Sequence, residues 1–295
     1  MAWGQGTVGF ELLRLEATAR GAAASGTLVA IPGEVDAMHS NPATLGDLYY
    51  RWVSLTYLKH LLDFNSGTLS YAQPVKTWGT IGARLTYFDY GSFDEATSLG
   101  EFTGRTFSAN DILCSVSFAR RLGPVFRLGA TLNYIRSQIQ NYNASAAGVN
   151  LGFIARTQAE IHGIREVVLG GAVYNLGTAT KAFIEEKDDL PLGFRAGLSA
   201  PLEYLPLTVS IQATKWVDQD VQFALSGEFT PVDLLRVRIG YSTEGHDQHL
   251  NTDKDAFAGM SGGFGLLYSK WRFDYAMSSM GELGLLNRFT LSRSF

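Results

Sequence analysis

Cysteine occurs once, as Cys114, which excludes an internal disulfide and a cysteine-based zinc cluster. Nor is there an unbroken apolar run of about 18 residues, so no transmembrane helix is expected. Charge of either sign is nearly balanced, at a net −4. A nucleic-acid-binding surface would carry a basic excess, so no nucleic-acid partner is expected. The opening MAWGQGTVG lacks both the basic start and the apolar stretch of a signal peptide, so an exported protein is expected here in its mature form. None of these absences excludes a membrane barrel, because barrel strands alternate and hide their apolarity from a window average. What is present fits that case: 32 glycines and 13 tyrosines in a chain of 295 residues, 46% of them hydrophobic.

From about residue 50 onward the chain reads as strand after strand. LTVSIQAT sets Leu207, Val209, Ile211 and Ala213 against Thr208, Ser210, Gln212 and Thr214. LRVRIGY sets Leu235, Val237, Ile239 and Tyr241 against Arg236 and Arg238, and KWRFDYAM sets Trp271, Phe273, Tyr275 and Met277 against Lys270, Arg272 and Asp274. RLTYF sets Leu85 and Tyr87 against Arg84 and Thr86. Charges in mid-strand need water or a partner on their side, whereas the opposite face, with its aromatics, suits lipid. Arg84, Arg236, Arg238, Arg272 and Asp274 are therefore candidates for a polar network inside a lumen, ion-paired or lining a polar route. Cys114, between apolar neighbours in ILCSVSF, reads as a packed or lipid-facing small residue.

About fourteen strands can be counted, and the connections between them alternate in length. GSFDEATSLGEFTGRTFSAN, NLGTATKAFIEEKDDLP and EGHDQHLNTDKD are long, whereas PVK, LGP and TPVD are tight. Bacterial outer-membrane barrels have even strand numbers, short turns at one end and long loops at the other. The expected fold is all-β, a transmembrane outer-membrane β-barrel of about fourteen antiparallel strands, with lipid or detergent on its outer wall. The ending LLNRFTLSRSF supports closure. Phe289, Leu291 and Phe295 share one strand face up to the last residue, as a strand that must pair with the first one would require.

Residues 1–49 lack this alternation and are rich in alanine and glycine, yet Phe10, Leu12, Leu13, Leu28, Val29 and Ile31 are too apolar for a solvated tail. They are expected to form a plug within a barrel of residues 50–295, since a fourteen-stranded wall leaves a lumen that strand side chains alone do not fill. A short helical subdomain outside the barrel is the competing reading.

Several short motifs resemble the PorV/PorQ family. GTVGFELLRLEATARGAAASGTLVAIPGEVDAMHSNPATL is similar to that family's ARAAALGGAFVA…NPAGL opening, with Asn41 and Pro42 at its NP pair. GFGLLYSKWRFDYAMSSMGELGLLNRFTLSRSF is similar to its ending. The likeness implies a FadL-like barrel with an N-terminal hatch, in the outer membrane of bacteria related to Bacteroidetes. It implies a non-enzymatic role beside the type IX secretion system, with a secretion translocon or surface-attached proteins as partners. By length the chain is closer to PorQ. The alternative function is a FadL-like channel for hydrophobic molecules, with a ligand near the hatch.

Other motifs carry less. GMSGG matches a nucleophile-elbow pattern, but it sits in a strand with no histidine after it, so no catalytic residue and no cofactor is expected. The histidines and acids of EGHDQHLNTDKD read as a solvated loop rather than a metal site. Phe93, Phe102, Phe107 and Phe183 lie in expected external loops, as anchors for a protein partner or as a cap on the barrel.

Overall fold

The computed structural model describes residues 8–59, 64–97, 100–157, 163–248, 257–281 and 284–295. Strands β1 (Trp52–Lys59), β2 (Asn65–Val75), β3 (Gly79–Ala96), β4 (Phe102–Leu122), β5 (Phe126–Ile139), β6 (Tyr142–Arg156) and β7 (Val168–Lys181) are followed by β8 (Gly193–Pro201), β9 (Leu207–Trp216), β10 (Gln222–Val232), β11 (Leu235–Ser242), β12 (Met260–Tyr268), β13 (Trp271–Ser279) and β14 (Leu285–Ser294). Each pairs antiparallel with its sequence neighbours, and β14 pairs with β1 to close a barrel of 14 strands. Leu291 lies opposite Leu55 and Ser294 opposite Trp52, and the Phe295 N–H donates to the Arg51 carbonyl. The terminal strand thus uses its whole length to remove the edge it would otherwise expose.

The period-two pattern sorts the faces. Leu55, Leu85, Val116, Leu132, Ile211 and Ile239 point outward and are exposed, while Ser54, Arg84, Ser117, Asn133, Gln212 and Arg238 point inward and are buried. Cys114 is on the outer face. Aromatics gather near both rims: Tyr57, Tyr87 and Tyr134 near one, and Trp78, Tyr268 and Trp271 near the other. Arg293 reaches this second rim with its guanidinium 4.8 Å from the rings of Trp271 and Phe295. A long cationic side chain can settle there among aromatics at a lipid boundary.

Call the end where β14 finishes the lower end. Its turns are short, except for 157–167 after β6, whose base is closed by Arg156 pairing with Glu166 (2.6 Å) and by Thr157 bonding Val167. The upper end is also uneven: Gln140–Asn141 is a two-residue turn, with Gln140 in the left-handed region at φ 53°. The expected long loop at 91–110 is largely strand. β3 and β4 continue upward as a hairpin, with Phe93 opposite Phe107, and with register shifts after Asp89 and Asp94 that bend it.

Residues 8–49 carry a single α-helix, α1 (Ala19–Ala23), and three 3-10 turns at Glu11–Leu13, Asp36–Met38 and Pro42–Asp47. Thr18 caps α1 by accepting from the Gly21 N–H. This inner segment is buried along most of its length and bonds to inward-facing residues of the wall. Phe10, Leu12 and Leu13 join Leu58, Phe88, Leu113, Ile135 and Leu286 in an apolar cluster that fills the upper lumen on one side. The connection after β7 folds in to meet it: Leu190 enters the same cluster and Gly9 donates to the Asp189 carbonyl.

Candidate functional site

Three sets of contacts hold the inner segment. The first is a seat of wall glycines on consecutive strands. A Cβ at Gly129 would lie 2.4 Å from the Ala43 nitrogen, one at Gly152 2.0 Å from Asn41 Oδ1, and one at Gly170 2.1 Å from the Val29 carbonyl oxygen. Only glycine lets a backbone approach that closely. Asn41 uses this space fully. Its Nδ2 donates to the carbonyls of Val29 (2.7 Å) and Phe153 (2.9 Å), and its Oδ1 accepts from the Ala43 N–H (3.0 Å). Pro42 follows at the first helical position, where its missing N–H costs nothing.

The second set is a buried ion network. Arg20 pairs with Glu34 and with Glu228 (3.0 Å). Arg238 pairs with Glu228 (2.6 Å) and Asp274 (2.6 Å). Arg272 pairs with Glu34 (2.7 Å), Asp36 and Asp274 (2.9 Å), and stacks over Trp52. Three guanidiniums thus meet four carboxylates, and the contacts run from inner segment to wall. Glu34 loses solvation on burial, but Arg20 and Arg272 outweigh that and hold its carboxyl down at about 2. Asp36 shows the opposite balance: burial, with Asp274 and Glu34 nearby, pushes it up.

The third set closes the lower end, where Asp47 accepts from Arg127 Nε (2.8 Å) and lies 3.4 Å from Arg156. Near the upper end Arg14 reaches Asp218 (2.7 Å) and stacks over Trp216.

Of the expected lumen residues, Arg238, Arg272 and Asp274 come together in the ion network. Arg84 does not join it: it is buried on β3, and its Nε and Nη1 have no hydrogen-bond partner among the described residues. Arg236 stands apart too, because it begins β11, where its Nη1 folds back onto the carbonyls of Val232, Asp233 and Leu235 at the lower turn. Sequence reasoning missed Arg20, Glu34, Asp36, Asp47, Arg127 and Glu228. The acids of GEVD, set in an apolar stretch, were the available signal. His39 is buried, and desolvation followed by the nearby guanidiniums of Arg84 and Arg195 pushes its imidazole well below the ordinary value.

Ser261 of GMSGG faces inward, donates to the Ala23 carbonyl (3.1 Å) and shares a hydrogen bond with Ser25 Oγ (2.7 Å). Its hydroxyl holds α1 rather than a base. Gly263 gives α1 room, since a Cβ there would meet that of Ala23 at 2.8 Å. Among the external aromatics, Phe102 is the most exposed and Phe93 stacks on Phe107 at 5.5 Å. Phe183 is not a free anchor: it is half-buried and packs on the apolar cluster below. The loop histidine His249 and the acids Asp253 and Asp255 lie outside the described residues, as do the side chains of His246 and Asp247.

Open space lies beside this packing. A vestibule of about 360 Å³ sits above α1 against β8–β14, lined by Leu15, Trp216, Met280 and Leu286 together with Arg14, Arg195, Gln212 and Arg288. Outside the wall an apolar groove of about 710 Å³ runs over Gly262, between Val237, Ile239, Phe257, Met277 and Leu285. Vestibule and groove share Met260, Ser261 and Ser279, so only the thickness of β12 and its neighbours separates them. A second outer groove, of about 600 Å³, lies over Gly171 beside Phe153 and Phe194.

No family model matches the chain, and no curated protein matches it. Solved structures do. The toluene transporter TodX of Pseudomonas putida aligns with a TM-score of 0.60 at 12% identity, over 95% of this chain and 97% of that one. The monoaromatic hydrocarbon channel CymD aligns with 0.61 at 13% identity, over 97% and 99%. A TodX deletion mutant aligns with 0.63 at 14% identity, over 97% and 100%. The architecture is that of an outer-membrane β-barrel of FadL-like fold.

Proposed function

We propose that this protein is a non-enzymatic outer-membrane channel that admits small hydrophobic molecules, with residues 8–49 as its hatch and the upper end facing outward. The observation that carries the reading is the pairing of the vestibule with the apolar groove across β12. An apolar solute entering from above meets Trp216, Met280 and Leu286, finds the axial path occupied by the hatch, and has lipid one strand away. Leaving sideways keeps its apolar surface out of water, at about 25 cal/mol per Å². The likeness in fold to a toluene transporter and to hydrocarbon channels supports the same choice.

The test is uptake of radiolabelled toluene by cells expressing the protein, against cells with an empty vector. Uptake should rise with expression and fall severalfold in Gly262→Phe, which fills the groove from outside while leaving the lumen intact. Ala196→Phe, in the second groove, serves as the comparison. Uptake no faster than in the empty control would end this reading.

A second reading, surface assembly or secretion in the manner of PorV/PorQ proteins, draws on one observation. The β3–β4 hairpin projects beyond its neighbours and carries the exposed Phe102 beside the Phe93–Phe107 stack. Exposed aromatics on a rigid hairpin suit a protein partner. Deleting residues 92–109 should then remove co-purifying translocon or surface proteins from a gentle detergent extract while the barrel still folds. An unchanged set of partners would clear the hairpin of that role.

A further inference from the structure

A second cavity within the barrel lies on the other side of the hatch. It has a volume of about 150 Å³ and opens toward the lower end. Its wall is made by the same strands that line the vestibule, one step further down. On β9, Gln212 and Thr214 face the vestibule while Thr208 and Ser210 face the lower cavity. On β10 the change falls between Ala224 and Ser226. Gln212 is opposite Ala224 and Ser210 is opposite Ser226, so the border crosses both strands at the same level. Inward residues repeat every second position, so the two spaces are about 7 Å apart along the wall.

The barrier between them is one turn of chain. Ser25 and Gly26 form its upper surface, and Ala24, Thr27 and Leu28 its lower. Both central residues of this turn are in the left-handed region, Ser25 at φ 47° and Gly26 at φ 79°. The turn is fastened to β10 by a hydrogen bond between the Thr27 and Ser226 hydroxyls, and to β9 by Val29 N–H donating to Gln212 Oε1 at 3.3 Å. The turn packs closely on β11, where a Cβ at Gly240 would lie 2.8 Å from the Ser25 nitrogen, and leaves space toward β9. A Cβ at Gly26 would find no atom nearer than Gln212 Nε2 at 4.0 Å, whereas the glycine seat on β5–β7 leaves no room for one. Toward β9 and β10 the turn itself is therefore held by hydroxyl and amide contacts, with the Arg20–Glu228 pair below it.

We infer that the Ser25–Thr27 turn gates a second, axial route, along β9 and β10, for water and small uncharged polar solutes. Hydroxyls line both sides of the turn, joined above by the Gln212 amide, and the charged groups of the lower cavity are paired, Arg20 with Glu228 at 3.0 Å and Glu166 with Arg156 at 2.6 Å. Such a lining replaces water's hydrogen bonds for a polyol. The lower cavity has room for several waters or one small polyol. This route leaves the shared vestibule by a different exit from the sideways path proposed above, because it neither crosses β12 nor uses the outer groove.

The experiment is isotonic swelling of proteoliposomes holding the full-length chain, with erythritol as solute. The variant is Thr27→Cys/Ser226→Cys in a Cys114→Ser background, whose new thiols replace hydroxyls already in contact. Reduced, it should swell at least as fast as the parent. Oxidised, its rate should fall severalfold, toward that of protein-free vesicles, and recover fully on adding reductant. Because one sample is read in both states, recovery excludes misfolding as the cause. Equal swelling in both states, or no swelling above protein-free vesicles in either, would overturn the inference. Neither result bears on toluene uptake, which reads the other path.

Discussion

Arg272, on β13, should be the costliest wall residue to remove from the contacts that hold the hatch. It faces three carboxylates, and among the described residues it supplies the only ion pair made by Asp36, which is fully buried. Arg272→Met keeps most of the volume but leaves two guanidiniums against the four carboxylates Glu34, Asp36, Glu228 and Asp274. Stranding a buried charge in this way costs about 3–5 kcal/mol. Asp274→Asn breaks contacts to two arginines, yet it brings charges level at three against three, and the amide can still accept from one of them. A loss of about 1–2 kcal/mol is expected there. Equilibrium urea unfolding in lipid vesicles, read by tryptophan fluorescence, gives both numbers. Heat-shifted migration on gels checks that each barrel still closes. Adding Asp36→Asn to Arg272→Met should recover part of the loss. If Asp274→Asn proves as damaging as Arg272→Met, the balance of buried charge does not govern hatch stability and the reasoning fails.

Two further outcomes follow from the same contacts. Gly152→Leu should push Asn41 off the wall and unseat the segment after Val29, giving a folded barrel whose residues 8–49 are cleaved by protease under conditions that spare the parent; a resistant hatch would show that the glycine seat is dispensable. Acid should act through His39. The unfolded imidazole takes a proton near its ordinary value of about 6.5 and the folded one does not, so stability falls as pH drops below that value. His39→Gln should flatten the slope between about pH 6.5 and 5. Glu34, held down to about 2, adds its own loss only as pH falls from its ordinary range toward that value. A slope unchanged in His39→Gln would remove the histidine from the account.

The barrel was legible because alternation is a local property. Each strand carries its own inside and outside, and the match of Phe289 and Leu291 to Tyr57 and Leu55 follows from closure. The β3–β4 hairpin was hidden because polar, bulged strands above a membrane lose the apolar half of the pattern, as Ser92, Asp94 and Thr106 do. Arg236 and Arg238 look alike in sequence, since both face the lumen side of one strand. Two residues of strand rise place one at the rim, where it bonds its own turn, and the other in the ion network. The hatch contacts were the least legible. Pairing Asp36 with Arg272, or Asp47 with Arg127, joins residues far apart in sequence, and no spacing rule links a segment without periodicity to the wall around it.

The distribution of those partners along the chain has a consequence for biogenesis. The hatch precedes the wall in the chain, but Glu228, Arg272 and Thr290, which fasten α1 and the acids after it, and Arg238 and Asp274, which pair with these wall residues, come from β10 to β14. The seam between β1 and β14 is completed by the final residue. A chain stopped before β13 therefore lacks both a closed wall and Arg272, the wall partner of Glu34 and Asp36. Closure of the ring and seating of Glu34 and Asp36 depend on neighbouring C-terminal strands. The strand that completes the wall's ring beside β14 thus also carries the guanidinium that neutralises the inner segment's acids, so the ring and its filling are coupled through β13.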